Sequence, residues 1–206
     1  MNDFDGIAPF YDFLGRLVFG NELLKSQAHY LEEIKAGSKI LLIGGGTGKI
    51  LKEFEKLEIP LSIDYIEKSE KMLLRSKALA PFENLAVNFI QGDHNGIPKT
   101  DYNVIFTAFF LDVFDSDTLG TVIQKLDQVS GREAIWIVTD FIRTRKHWQR
   151  ILIYTMYRFF RLLTRMQGRK LLNFETFLAQ KGLISVKSKV YFYGMIRTVV
   201  YQYQNA

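Results

Sequence analysis

The sequence predicts an α/β fold built on a doubly wound sheet of seven strands, parallel except for a terminal antiparallel hairpin strand, with helices on both faces. Two observations predict it. From residue 22 onward, short apolar runs alternate with helical patterns, which is typical of a parallel sheet covered by helices. The chain then ends in two segments that alternate β-branched, aromatic and polar residues around Gly194, which is typical of a hairpin.

Five strand-like segments precede the hairpin. The predicted strands are residues 39–43, 61–66, 85–90, 102–109 and 134–139, followed by the hairpin segments 184–193 and 196–203. The predicted helices are residues 50–56, 69–80, 115–129, 148–166 and 173–180. Ser69 and either Asp115 or Ser116 are expected to cap their helices, because a side-chain oxygen there accepts from a backbone N–H that the helix leaves unpaired.

The composition limits the function classes. The 206 residues include no cysteine, which excludes thiolate zinc sites, iron–sulfur clusters and cysteine nucleophiles. The three histidines are scattered along the chain, so no metal site is predicted. The longest uncharged stretches have about ten residues, against the ~20 that span a bilayer, and the N-terminus has no secretory signal pattern. A soluble, cytoplasmic protein is therefore expected.

The net charge of +5 is unevenly distributed. Residues 141–174 hold nine basic residues and no acidic one, so the rest of the chain has 18 basic against 22 acidic residues and a net charge of −4. At ~100° per residue, one sector of the predicted helix collects Arg150, Arg158, Arg161 and Arg165. The opposite side collects Trp148, Leu152, Met156, Phe159 and Leu163.

Such a two-faced helix has several interpretations. It is a cap helix with solvated arginines, a lid over a pocket, or a surface that adsorbs to an anionic membrane, for which an acid-free arginine face beside aromatic residues is suited. Nucleic acid is not predicted as a partner, because no aromatic platform or binding motif accompanies the charges.

The most informative segment is a glycine loop. The predicted strand 39–43 runs into Gly44-Gly45-Gly46-Thr47-Gly48 and then into a helix, so that a ligand can lie against bare backbone. A dinucleotide fingerprint needs glycine or alanine where the chain has Lys49, and a phosphate P-loop needs serine or threonine where it has Ile50. We therefore predict a cofactor site without a phosphate cradle, formed by Gly44, Gly45, Gly46 and Gly48.

Further candidates follow the next strands. Glu67 ends the second strand about twenty residues after the loop, where a carboxylate accepts from both hydroxyls of a ribose. Asp93 follows the third strand and is placed to accept from an adenine amino group. Phe109, Phe110 and Leu111 follow the fourth strand as an apolar wall. Taken singly, these residues also have plain interpretations as a solvated acid, a turn residue and a core residue. The candidate cofactor-binding set adds Glu67, Lys68, Asp93, His94 and Phe109.

On these residues, the sequence resembles the class I S-adenosylmethionine-dependent methyltransferases, which have a Rossmann-like fold. The glycine motif matches Gly44, Gly46 and Gly48, the ribose acid matches Glu67, and the adenine-binding Gly-Asp matches Gly92-Asp93. Residues 4–12 look like the entry helix of the ubiquinone/menaquinone methyltransferase branch, which implies that Tyr11 contacts the methionine end of S-adenosyl-L-methionine. The resemblance implies one methyltransferase domain over 1–206, with an N-terminal helical cap at 1–35 and a basic amphipathic helical insertion at 141–174.

The sequence departs from the family pattern at two places. The family usually has an acid two residues before the first glycine, where this chain has Leu42, so support for the methionine ammonium must come from elsewhere. The quinone branch carries a histidine in its terminal strand, and the corresponding stretch 194–198 has none. The second departure argues against a quinone as substrate.

The expected function is S-adenosylmethionine-dependent methyl transfer to a small acceptor of apolar or lipid-like character. The alternative is an adenosylmethionine-binding accessory protein without turnover, for which Leu42 is the main support. An aminopropyltransferase, which shares an Ile-Gly-Gly-Gly loop, is disfavoured because no acidic amine-binding cluster follows the fourth strand. No catalytic residue is assigned; His94, Asp112 and Asp140 are base candidates by position alone.

Overall fold

A computed structural model of the protein describes residue 15, residues 17–163 and residues 172–204, and only the backbone of residues 157 and 159–163. The strands are β1 (Lys39–Ile43), β2 (Leu61–Glu67), β3 (Leu85–Gln91), β4 (Tyr102–Ala108), β5 (Ser130–Phe141), β6 (Leu183–Tyr191) and β7 (Ile196–Tyr203). The helices are α1 (Glu22–Ala28), α2 (Lys49–Glu55), α3 (Glu70–Lys77), α4 (Ser116–Gln128), α5 (His147–Leu163) and α6 (Phe174–Gln180). Tyr11, Arg165 and the side chain of Arg161 lie outside the described residues.

The seven strands form one sheet in the order β3-β2-β1-β4-β5-β7-β6. Strands β1 to β5 run parallel to one another, and β7 is antiparallel to both β5 and β6. The predicted fold class is therefore confirmed. The strand order reverses between β1 and β4, and in sheets of this kind a ligand binds in the crevice at the carboxyl ends of the two strands on either side of such a reversal.

Two apolar clusters cover the two faces of the sheet. One lies between the sheet and helices α4 and α6 and includes Trp136, and the other lies under α2 and α3 and includes Tyr65. β1 and β4 contribute to both clusters because successive side chains point to opposite faces. The loops that follow β1 and β4 at the crevice therefore begin from strands that are packed on both faces.

Two elements, β5 and α3, have ends that differ from the sequence-based expectation, and backbone pairing and backbone conformation explain the differences. β5 extends beyond the predicted 134–139, because Ser130 pairs with Tyr102 across a bulge and Phe141 pairs with Ile196 of β7. α3 ends at Lys77 rather than at residue 80. Pro81 disfavours the helical conformation at Ala80, the residue before it, so the helix cannot continue to that position.

The predicted caps of two helices are confirmed. Ser69 Oγ accepts from the Met72 N–H at 3.2 Å, and Asp115 Oδ1 accepts from the Thr118 N–H at 2.9 Å. Each bond satisfies one of the backbone donors that the first turn of a helix leaves unpaired. Ser69 thereby fixes the start of α3 two residues after Glu67.

Helix α5 packs one side against the end of the sheet and exposes the other. Leu152, Ile153 and Met156 pack on an apolar cluster that contains Phe19 and Phe141. Trp148, expected on the packed side, is 47% exposed and contacts Tyr193 edge to face. Across the ranges that the structure describes, no helix combines the length and apolar character needed to cross a bilayer.

Candidate functional site

The glycine loop connects β1 to α2 at the carboxyl edge of the sheet. Gly46 has a φ of +62°, and a Cβ built on it would meet no heavy atom within 4 Å, so this residue faces open space. A Cβ on Gly45 would lie 2.2 Å from the Tyr65 ring, which leaves room for glycine alone. The loop therefore presents bare backbone outward at Gly46 and packs tightly on β2 beneath Gly45.

Glu67 fixes the position of the loop. The residue is 6% exposed at the end of β2. Its Oε2 accepts from the Gly46 N–H and its Oε1 accepts from the Ser69 N–H, both at 2.8 Å. The Tyr65 hydroxyl donates to the Gly46 carbonyl at 2.9 Å. A buried carboxylate with two backbone donors is a charge-assisted link between the loop and the start of α3.

A cavity of about 240 Å³ lies on one side of the loop, and it brings together most of the predicted cofactor-binding residues. Its lining includes Gly44, Gly46, Glu67, Lys68, Asp93, His94 and Phe109. Phe110, predicted as part of the apolar wall, and Phe114, which was not predicted, contribute to its apolar side. Leu111 is fully buried in the core and lines neither cavity. Residues from the ends of β1, β2, β3 and β4 thus converge on one volume.

Asp93 and His94 differ in charge within this cavity. Burial acts to raise the pKa of Asp93, but hydrogen bonds from the Asn95 N–H and Nδ2, with smaller contributions from His94 and Lys68, outweigh it and leave the pKa lowered. Burial lowers the pKa of His94 despite the nearby carboxylate. At neutral pH, the site therefore offers a charged acceptor at Asp93 beside a neutral imidazole.

A second cavity, of about 520 Å³, lies on the other side of the loop. It shares Ile43, Gly44, Gly46 and Phe109 with the first, so the two cavities are adjacent at the loop. Its walls are mainly apolar and come from residue 15, residues 18–27, β1, β4, β5 and α5, with residues such as Leu42, Phe106, Phe141, Leu152 and Met156. The cavity therefore suits an apolar group next to the polar first cavity.

Phe109 stands between the two cavities in a constrained conformation. Its φ is +52°, its N–H donates to the Thr139 carbonyl at 2.8 Å, and its ring centroid lies 5.0 Å from that of Phe141. A bulky residue at positive φ is strained, and such strain persists only where the surroundings determine it. Phe109 therefore lines both cavities, and its role toward a cofactor stays a prediction.

Asp112 and Asp140 do not line either cavity. Asp140 is completely buried; its Oδ2 accepts from the N–H groups of Leu111 and Asp112, and its Oδ1 accepts from the Phe141 N–H. Burial, together with the charge of Asp112, raises the pKa of Asp140 well above its usual range. Asp140 therefore holds the turn after β4 from its buried side. Of the three base candidates, only His94 lines a cavity.

Two aromatic contacts that shape the loop were not predicted from the sequence. Tyr65 supports Gly45 and Gly46 from β2, and Phe110 lies so close to Gly44 that a Cβ there would be 2.6 Å from its ring. Both are aromatic residues in or after apolar strands, a pattern equally typical of core packing. Within the described residues, no group of three or more potential metal ligands occurs.

No family model matches the chain. Among curated proteins, the chain is similar to the ubiquinone/menaquinone biosynthesis C-methyltransferase UbiE of Pseudomonas fluorescens, with 31% identity over 115 residues. The match covers 52% of this chain and 45% of that protein, so it spans less than half of the relative's length.

Solved structures show the same arrangement of strands and helices at low sequence identity. The mitomycin 7-O-methyltransferase MmcR has a TM-score of 0.69 and 16% identity, with 93% of this chain and 57% of that chain covered. The magnesium protoporphyrin IX methyltransferase of Synechocystis PCC 6803, solved with bound S-adenosylhomocysteine (SAH), has a TM-score of 0.66 and 14% identity, with 88% and 82% covered. At these identities, the likeness is one of fold.

Proposed function

Since the chain has the fold of the class I S-adenosylmethionine-dependent methyltransferases, we propose that it binds S-adenosyl-L-methionine across the glycine loop and transfers its methyl group to a small acceptor. When bound, this cofactor supplies an electrophilic methyl group on a sulfonium cation. The chain's own residues bind, orient and shield the reacting groups. The similarity to a curated methyltransferase, over less than half of that protein's length, supports the proposal.

One observation carries the proposal: the Glu67 carboxylate lies beside the exposed backbone of Gly46, where two cavities meet. In the smaller cavity, Glu67 would accept from the ribose hydroxyls and Asp93 from the adenine amino group. Phe109, shared by both cavities, would lie against the sulfonium, which aromatic faces favour. Glu67, Asp93 and Phe109 include no cationic side chain that would bind the pyrophosphate of a dinucleotide.

The acceptor is proposed to enter the larger cavity. Its walls consist mainly of aliphatic and aromatic side chains from β1, β4, β5 and α5. An apolar or lipid-like acceptor would displace water from these walls, and this burial favours binding. The N-terminal cap 1–35 and the basic insertion 141–174, within a single domain 1–206, are proposed to cover this side.

The proposal is tested by the ligand that the protein carries and binds. We expect protein purified from cells to release S-adenosylmethionine or SAH on denaturation, identified by mass spectrometry, and the emptied protein to bind SAH in calorimetric titration. Retention of NAD, or binding of NAD but not SAH, would instead make it a nucleotide oxidoreductase and reject the proposal.

A second candidate function is an adenosylmethionine-binding accessory protein without turnover. Leu42 favours it, because the position that usually carries an acid is apolar and 1% exposed here. Binding experiments do not separate the two candidates. Transfer of an isotopically labelled methyl group to a lipid or apolar extract does, since only the enzyme gives a labelled acceptor.

The protein is also proposed to work in the cytoplasm at an anionic membrane, through the exposed side of α5. We call Trp148, Arg150, Ile151, Tyr154 and Arg158 the α5 surface. Ile151 and Tyr154 are 65% and 61% exposed, and Arg158 Nη1 donates to the Tyr154 hydroxyl at 3.2 Å. Large apolar side chains that alternate with exposed arginines match an interface of acyl chains and anionic headgroups.

The α5 surface borders the larger cavity, which links the membrane to the acceptor. Leu152, Thr155 and Met156 of the same helix line that cavity. Val18, another lining residue, lies next to Leu17, which is 70% exposed. An apolar acceptor dissolved in the membrane would therefore meet the mouth of the cavity without crossing water.

Reversing two charges of this surface should release the protein from anionic vesicles. Each arginine near an anionic surface contributes about 1 kcal/mol, so Arg150→Glu with Arg158→Glu should lower partitioning by at least about thirtyfold. Sedimentation with vesicles of phosphatidylcholine and phosphatidylglycerol measures it. Salt should weaken the binding of the unmodified protein, because it screens exposed charges.

The matched control is Lys77→Glu with Lys99→Glu, which changes the net charge equally at exposed positions on other parts of the fold. This variant should sediment like the unmodified protein. Equal release by both pairs would reduce the effect to net charge. If the unmodified protein fails to sediment at low salt, α5 is a lid and the membrane proposal is wrong.

A further inference from the structure

The larger cavity has one charged residue among the described residues that line it, and that charge is positive. Lys49 is the first residue of α2, directly after Gly48, and lies exposed at the rim of the cavity. The other polar residues of the lining are neutral: Asn21, Gln27, Thr47 and Thr155. An ionic group that enters the cavity therefore meets a cation and amide groups, and no carboxylate of the described lining.

The acidic residue that the resembled family usually has two residues before the first glycine is replaced by leucine in this chain. Leu42, two residues before Gly44, lines the same cavity and is almost completely buried. An isobutyl side chain provides nothing to neutralise an ammonium group, and placing an ammonium against it would cost desolvation energy. The amino-acid end of S-adenosylmethionine carries both an ammonium and a carboxylate, and the charges around this cavity favour the carboxylate.

We propose that Lys49 binds the methionine carboxylate of the cofactor, so that this protein recognises the amino-acid end of its ligand through the carboxylate rather than through the ammonium. The inference rests on the proposed function, because it concerns the same ligand. Gln27 and Asn21, on and next to α1, are the neutral lining residues whose amides would share the carboxylate. A charge-assisted hydrogen bond at an exposed position is worth roughly tenfold in affinity.

Four thioethers that differ only at the amino-acid end test the inference. SAH has both charged groups, its desamino analogue keeps the carboxylate, its decarboxylated analogue keeps the amine, and 5′-methylthioadenosine has neither. In calorimetric titration, the unmodified protein should bind the decarboxylated analogue about tenfold more weakly than SAH, and the desamino analogue within about threefold of SAH.

Lys49→Met should lower the affinity for SAH to that for the decarboxylated analogue and leave the affinity for 5′-methylthioadenosine unchanged. The matched control is Lys52→Met, an exposed lysine one turn further along α2, which should bind all four ligands like the unmodified protein.

Two results with Lys49→Met would overturn the inference alone. One is unchanged SAH affinity in Lys49→Met; the other is an equal loss for SAH and 5′-methylthioadenosine, which would indicate distortion of the loop. Preference of the unmodified protein for the decarboxylated over the desamino analogue would overturn it as well. An unmodified protein that binds none of the four ligands contradicts the proposed function itself, which separates the two failures.

Discussion

Gly46→Val is expected to abolish the binding of S-adenosylmethionine and SAH, with a loss of affinity of more than about 100-fold. The reason is positional. A Cβ on Gly46 meets no protein atom within 4 Å, so the valine side chain would project into the open space where the two cavities meet. The backbone N–H that donates to Glu67 is retained. Calorimetric titration with SAH measures the loss.

The strain that valine introduces needs its own control. Gly46 has a φ of +62°, and a branched residue in this region costs about 1–2 kcal/mol of unfolding free energy. Gly37 is a matched position, with a φ of +77°, no heavy atom within 4 Å of its Cβ position, and no part in either cavity. Gly37→Val should therefore lower the melting temperature by a similar amount and bind SAH normally. Equal affinity losses in both variants would assign the effect to instability.

The glycine loop was predictable from sequence because it depends on local chemistry. An apolar run that ends in closely spaced glycines has few structural interpretations, and the observed β1 begins and ends at the predicted residues 39 and 43. Caps such as Ser69 and Asp115 are equally local, since the side chain and the N–H that it accepts from lie three residues apart. The roles of the predicted cofactor-binding residues stay predictions.

Non-local features were not predictable from sequence. The support of Gly46 by Tyr65 depends on the parallel register between β1 and β2, which no local pattern encodes. Asp112 lies in the turn after β4 and Asp140 near the end of β5, where a catalytic acid is expected, yet both side chains are buried and line neither cavity. For α5, the helical wheel separates the polar side from the apolar side but does not show where the packed surface ends. Trp148 belongs to the apolar side of the wheel, yet it is half-exposed in the structure.

Glu67→Gln should also lower the affinity for SAH by about 100-fold, although it is nearly isosteric. Both carboxylate oxygens already accept from backbone N–H groups, those of Gly46 and Ser69. The amide nitrogen of glutamine would face one of these donors, and a buried donor without an acceptor costs about 1–3 kcal/mol. This cost lowers stability in the free and the bound protein alike. The loss of affinity comes from the charged acceptor for two ribose hydroxyls, at about 1.5–3 kcal/mol for each hydrogen bond to a charged group.

Glu55→Gln provides the matched control. Glu55 Oε1 accepts from the N–H groups of Glu83 and Asn84, at 2.7 and 3.2 Å, and this half-buried carboxylate lies away from both cavities. It should lose stability in the same way, by leaving a backbone donor opposite an amide nitrogen, and retain its affinity for SAH. Glu67→Gln with an affinity within threefold of the unmodified protein would show that the ribose lies elsewhere.

The support of the loop and the contact with the ribose are separable because only the second depends on the ligand. We expect the unmodified protein to bind the 2′-deoxy analogue of SAH about tenfold more weakly than SAH, since the Glu67 carboxylate loses one of its donors. In Glu67→Gln, the two ligands should bind with equal, weak affinity. Two groups that interact give non-additive effects when both are changed, whereas independent groups give additive ones. If Glu67→Gln and the unmodified protein have the same ratio of affinities for SAH and its 2′-deoxy analogue, Glu67 does not contact the 2′-hydroxyl and acts only through its bonds with Gly46 and Ser69.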